Sequence, residues 1–254
     1  MDPATLLGLV LAFGALLAMI FIEGSNVTAI LLPAPMILVF GATIAVGIMG
    51  GTLKDALFAF KSIPRAFRGK TTPPGEVIDT VVMLAETART KGLLALEQEA
   101  DGTDDPFLRG ALQNIADGMD PAELREMLED EIATKSATDR VAAKFFTSLG
   151  GYAPTIGIIG TVVALTHVLE NLSTPSTLGP MIAAAFVATL WGLLSANFLW
   201  LPIGARLRRL SELEVEQMTL LMEGVLAVQS GSQPRLLGER LRAMVPGAAL
   251  AEAA

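Results

Sequence analysis

The chain has 254 residues, of which 52% are apolar and 17% charged, with 18 basic and 26 acidic side chains and a net charge of −8. This composition is too apolar for an ordinary soluble domain, and its net acidity is no argument for nucleic acid, which calls for a basic face. The absence of cysteine excludes disulfides, thiolate chemistry and cysteine-bound metals.

The basic residues are segregated. Twelve lie between Lys54 and Lys144 and six between Arg206 and Arg242, with none in the first 53 residues or between Phe145 and Ala205. The N-terminus has no basic leader region and no small-residue cleavage site, which predicts a retained membrane helix. Leu6–Ile22 is an apolar run of 17 residues, near the lower limit for a span. The polar turn Glu23-Gly24-Ser25-Asn26 ends it. Ala34–Leu53 is a second run, of 20, entered through Pro33 and Pro35, where a missing N–H costs nothing.

Lys54, Lys61, Arg65, Arg68 and Lys70 follow at once, so this end is expected on the cytoplasmic side. Residues 54–146 read as helical throughout, with no period-2 run to suggest a strand. Glu76–Lys91 sets Val77, Val81, Leu84 and Ala88 on one face and stops at Gly92. Pro106–Ile115 repeats the pattern. Asp120-Pro121-Ala122-Glu123 opens a long helix expected to run directly into the next apolar segment.

Two further apolar segments, Leu149–Leu169 and Met181–Ile203, are joined by a loop without Lys or Arg. Their faces are built from small residues, among them Gly157, Gly160, Ala184, Ala188 and Gly192, which let helices approach closely in lipid. Thr155, Thr161, Thr166, Thr189 and Ser195 lie among them. A mid-membrane hydroxyl either bonds its own helix or faces something polar. Arg206, Arg208 and Arg209 predict a basic turn on the cytoplasmic side. A helix through Leu207, Leu210, Leu213, Met218 and Val225 follows. It breaks at Gly231–Pro234 and leaves a short helix, Arg235–Met244. The expected fold is an all-α membrane protein with four spans and both termini cytoplasmic. Between spans two and three lies a helical cytoplasmic insertion, and a cytoplasmic C-terminal helix follows span four. The domains are 1–53, 54–146, 147–203 and 204–254.

No phosphate loop, metal-ligand cluster or nucleophile elbow is present, so catalysis has no support. His167, in the third span, shows no partner nearby in the sequence and reads as structural. The informative absence is that no Asp, Glu, Lys or Arg falls inside any of the four apolar segments. Transfer of a cation by carboxylate protonation needs a carboxylate in the membrane. Pro154 and Pro202 each remove an N–H from their helix and can kink it. The chain reads as one wall of an ion path whose charged group comes from another chain.

Several stretches carry a family resemblance. They are Gly151-Tyr152-Ala153-Pro154-Thr155-Ile156-Gly157-Ile158-Ile159-Gly160-Thr161, Leu178-Gly179-Pro180 through Ala188-Thr189-Leu190-Trp191-Gly192 to Pro202, and Ala88-Arg89-Thr90-Lys91-Gly92 to Glu97. Together they resemble the flagellar stator A subunits (motility protein A, MotA/PomA) within the MotA/TolQ/ExbB group, over nearly the whole chain.

The resemblance implies a subunit of an ion-driven rotary stator in the bacterial inner membrane, with transported H⁺ or Na⁺ and no cofactor. It implies a homopentamer around two copies of a single-span B subunit bearing a membrane Asp. The other partners would be the rotor switch protein of the flagellar C-ring and membrane lipid, with no nucleic acid. Arg89 and Glu97 match rotor-facing charges, which the sequence alone would read as solvated. Thr161 and Thr189 match hydroxyls beside the B-subunit Asp. Pro154 and Pro202 match prolines that couple ion occupancy to movement. Thr161 resembles the sodium branch, while Ala188 beside Thr189 resembles the proton branch, which tips the reading to H⁺. The alternative is an energiser of the ExbB/TolQ type serving another client.

Overall fold

In a computed structural model describing residues 4–247, every regular element among the described residues is helical. The helices are α1 (Ala4–Ile22), α2 (Pro33–Met49), α3 (Leu53–Arg68), α4 (Pro74–Lys91), α5 (Leu96–Gly102), α6 (Pro106–Ala116), α7 (Pro121–Glu170), α8 (Pro175–Leu194), α9 (Leu201–Gln229) and α10 (Pro234–Ala243). Short 3₁₀ turns occupy Val27–Ile30 and Leu93–Ala95, and a π-helical segment, Ser195–Trp200, joins α8 to α9.

Most expected boundaries hold within a few residues, and α7 does run unbroken from the Asp120 cap into the apolar segment. Asp120 Oδ1 accepts from the backbone N–H of Ala122 at 2.8 Å. Three differences have physical causes. The second apolar run is cut at Met49, because Gly50 caps α2 and Thr52 opens α3. Thr52 and Asp55 form a reciprocal capping box at 3.1 Å each way, a signal present in the sequence. No basic turn forms after Ile203, since α9 continues through Arg206, Arg208 and Arg209 to Gln229. No glycine there takes positive φ before Gly231 (φ 74°), and Leu207, Leu210, Leu220, Leu221 and Val225 give the continued helix a buried stripe. The loop after α7 is also shorter than expected, as α8 starts at Pro175.

Stretches of three helices are long and apolar enough to cross a membrane: Thr5–Ile22, part of α7, and part of the run from Pro175 to Gln229. Pro33–Met49 is apolar but shorter, so three of the four expected spans meet the length criterion.

The chain divides into two compact units. The first comprises Met1–Gly69 and Asp139–Arg209. Its core sets Ala56, Ala59 and Ala66 of α3 against Phe145, Phe146 and Leu149 of α7 and Trp200. The Phe146 and Trp200 rings stack at 6.3 Å, and Phe60 meets Phe145 and Phe146 edge-on at 5.6 and 5.9 Å. The Trp191 indole donates to the Ile30 carbonyl at 2.6 Å, tying α8 to the loop between α1 and α2. Arg65 grips the buried Asp139 through two parallel bonds of 2.7 Å. A buried carboxylate needs such a bidentate partner to offset its lost hydration.

The second unit comprises Lys70–Thr138 and Leu210–Ala254. It has an aliphatic core of Ile78, Val81, Leu84, Leu112, Leu124, Leu128 and Val225, among others. Asp105 caps α6 by accepting from the N–H groups of Phe107 (2.9 Å) and Leu108 (3.3 Å). Glu223 accepts from Arg125 at 2.7 Å and Arg240 at 3.3 Å. The Arg125 hydrogen bond leads in holding its carboxyl below the usual carboxylate range, against a smaller opposing cost of burial.

Candidate functional site: a hydroxyl pair on a glycine contact

The candidate ion path begins with two glycines. Gly157 on α7 and Gly192 on α8 face each other so closely that neither position has room for a side chain. A Cβ at Gly157 would lie 2.9 Å from the Ala188 carbonyl oxygen, and one at Gly192 would lie 2.7 Å from that of Ala153. Backbone meets backbone here. This is the contact that small residues permit in lipid, where apolar burial supplies no drive for association.

One turn from Gly157, this close approach brings Thr161 and Thr189 together, with Oγ1 atoms 2.5 Å apart. Thr161 Oγ1 also lies 2.9 Å from the Ala185 carbonyl across the interface and 3.2 Å from its own helix at Gly157. A hydroxyl has one proton and two lone pairs. The arrangement that satisfies both groups has Thr161 donating to Ala185 and accepting from Thr189. It leaves lone pairs on Thr189, with both threonines half-buried. The pair can accept a hydrogen bond or ligate a cation through oxygen, and it carries no charge. Between Lys144 and Glu170, and from Asn171 to Ala205, there is no Asp, Glu, Lys or Arg.

The other hydroxyls behave differently. Thr155 and Thr166 are exposed and bond to Tyr152 and Val163 of their own helix at 2.8 and 2.7 Å. Ser195 is buried and donates to Gly192 at 3.3 Å. His167 has neighbours that the sequence reading missed: its Nδ1 lies 3.4 Å from Glu170 Oε2 and 3.5 Å from Asn171 Nδ2, one turn on. The helical i,i+3 and i,i+4 spacing was the available signal.

Pro154 lies inside α7, which continues through it. Pro202 lies two residues past the end of the π segment, and the intervening Leu201 N–H bonds to the Ala196 carbonyl, five residues back. A proline donates no backbone bond, and a widened turn is a local way to accommodate that loss. The two prolines adjoin one contact. Gly150, a turn before Pro154, packs on Leu201, with a Cβ there placed 2.5 Å from the leucine side chain.

Arg89 and Glu97 lie in the second unit, both exposed and without an ion-pair partner among the described residues. They do not share one helix. Arg89 lies in the last turn of α4, Gly92 takes φ 86°, a conformation that disfavours any Cβ, and Glu97 lies in the first turn of α5 after the 3₁₀ turn.

Comparison with known proteins agrees with this architecture. Residues 99–220 match the MotA/TolQ/ExbB proton channel family, and residues 6–92 match the motility protein A N-terminal family. Motility protein A of Bacillus subtilis (strain 168) is 33% identical over 251 residues, covering 97% of this chain and 92% of that one. Among solved structures, C. jejuni MotAB superposes with a TM-score of 0.92 at 26% identity, covering 97% of each chain. The flagellar MotAB stator complex of Bacillus subtilis gives 0.89 at 31% identity, covering 98% of each. The chain therefore belongs to the MotA/TolQ/ExbB proton channel family, in its flagellar MotA/PomA branch.

Proposed function

We propose that the contact of α7 with α8 is the wall of the ion path, with Thr161 and Thr189 as its oxygen groups. The chain is an ion-driven flagellar stator subunit that couples ion flow to torque on the rotor, in a multi-pass membrane setting and without enzymatic chemistry. A MotB-like single-span partner accompanies it. The observation that carries the reading is the hydroxyl pair on a charge-free wall. A carboxylate on the partner helix supplies the titrating group, and the threonine oxygens stabilise its protonated or cation-bound state.

In this reading five copies surround two copies of the partner. Residues 1–53 and 147–203 are the membrane part, with four spans. α2 makes the second at 17 residues, or about 26 Å of helix, slightly short of a hydrocarbon core of about 30 Å. Residues 54–146 and 204–254 are cytoplasmic, as are both termini. The kink-capable sites at Pro154 and Pro202 pass ion occupancy to movement, and Arg89 and Glu97 contact the rotor switch protein. The match of residues 6–92 to the motility protein A N-terminal family favours a flagellar client over an ExbB/TolQ-type one.

The test is motility in cells lacking the native chain. Arg89→Glu and Glu97→Arg are expected to stop rotation while ion flux through the reconstituted complex persists. Unchanged rotation in both removes the rotor assignment. Speed measured across external Na⁺ at fixed pH is expected to stay flat, and speed that follows Na⁺ overturns the choice of H⁺.

A further inference from the structure

α3 presents a cationic face that the ion path does not use. Lys54, Lys61 and Arg68 recur every seven residues, which is two helical turns less about 20°, so they form one stripe along the helix. All three are exposed, and none forms an ion pair among the described residues. The only acid on α3, Asp55, is engaged with the N-terminal cap. Arg65 points elsewhere, onto Asp139. In a chain of net charge −8, an outer helix face with three cations and no acid is a marked departure from the rest.

The apolar side chains beside that stripe are exposed too. Leu53 and Leu57 are 62% and 54% accessible, and Pro64 is open. The opposite face, Ala56, Ala59, Ser62 and Ala66, is buried. α3 follows α2 after three residues and touches both α1 and α2, so it is held against apolar helices. Cations along one strip, leucines on its flank and a fixed place at the end of apolar helices are the attributes of a helix lying in a membrane interface.

We propose that the α3 stripe binds anionic phospholipid, with Lys54, Lys61 and Arg68 on the headgroup phosphates and Leu53 and Leu57 among the upper acyl carbons. Each juxtamembrane cation contributes about 1 kcal/mol toward an anionic surface. Neutralising three should therefore weaken the interaction on the order of a hundredfold.

The test uses the stator complex, this chain with its single-span partner, in mixed micelles. Phosphatidylglycerol, phosphatidylcholine or inorganic phosphate is titrated while the thermal midpoint is read. The wild type is expected to gain midpoint with phosphatidylglycerol alone. Lys54→Gln/Lys61→Gln/Arg68→Gln should need on the order of a hundredfold more lipid for the same gain. Lys54→Arg/Lys61→Arg/Arg68→Lys should respond like the wild type. The proposal is overturned if phosphatidylcholine or inorganic phosphate matches phosphatidylglycerol, or if the neutral variant keeps the full response. It is also overturned if the neutral variant loses subunit association equally with either lipid, which would make the face a protein contact.

Discussion

The two units are built on opposite packing rules. In the unit holding α4–α6 and α10, the interior is filled with large aliphatic side chains, and Ile78, Leu84, Leu112, Leu124 and Leu128 are fully buried. Its stability comes from atoms removed from water, at about 1.5–3 kcal/mol for each large side chain. In the unit holding α1–α3 and α8, the central contact of α7 with α8 has no side chain at Gly157 or Gly192. Its exposed surface carries Ile158, Ile159, Val162, Val163 and Phe186, which suit lipid or other chains. One region should fail when atoms are taken away and the other when they are added.

Four substitutions sharpen that contrast. Leu84→Ala or Leu112→Ala should cost the aliphatic unit about 2–5 kcal/mol, read as a lower denaturant or thermal midpoint. A cost below about 1 kcal/mol would mean the site collapses around the lost atoms. Gly192→Ala removes nothing, yet its methyl would sit 2.7 Å from the Ala153 carbonyl. It should cost about 1–3 kcal/mol and weaken the α7–α8 contact, read as lost thermal stability in detergent. A Gly224→Ala control tests the same addition in the aliphatic unit, where the obstacle is the Val81 side chain at 2.6 Å. Val81 is fully buried and β-branched, with its second methyl at 2.8 Å and its Cβ at 3.2 Å, so turning χ1 does not clear the point and this change should cost about as much as Gly192→Ala.

The smallest expected effect is Glu223→Gln, at about 1 kcal/mol once screening around the half-exposed Arg125 is allowed for. The carboxyl of Glu223 is held below its usual range, so its stabilisation is complete above the ordinary glutamate value, near pH 4.3. It is lost as pH falls through the lower folded value. Wild-type stability of this unit should be less acid-resistant than that of the Gln variant relative to their neutral values. Identical acid limbs in the two proteins would contradict the assignment.

How much was legible differs between these regions for the same physical reason. Helices in the aliphatic unit announce themselves by apolar periodicity and by caps such as Asp120, so their ends could be placed within a residue or two. In the apolar segments nearly every position is hydrophobic and periodicity carries little, so boundaries slipped. α2 ended early at Met49 and α9 ran on through the arginines. Thr161 and Thr189 were singled out from the sequence, but which carbonyls they meet was not, because Ala185 is 24 positions away. Arg65 and Asp139, 74 positions apart, could not have been paired by charge alone in a segment with many acids. The π segment before Pro202 had only the proline as a hint.

The central claim is that Thr161 and Thr189 act as one unit in the ion path. The direct measurement is ion flux through the stator complex reconstituted in liposomes, for Thr161→Val, Thr189→Val and the double variant. Val keeps the shape and deletes the hydroxyl, so packing at Gly157 and Gly192 is preserved. Each single variant is predicted to cut flux at least tenfold, with the double variant no worse than the poorer single, since losing either partner breaks the pair. Flux that survives in both single variants, or losses that simply multiply in the double, would contradict the account.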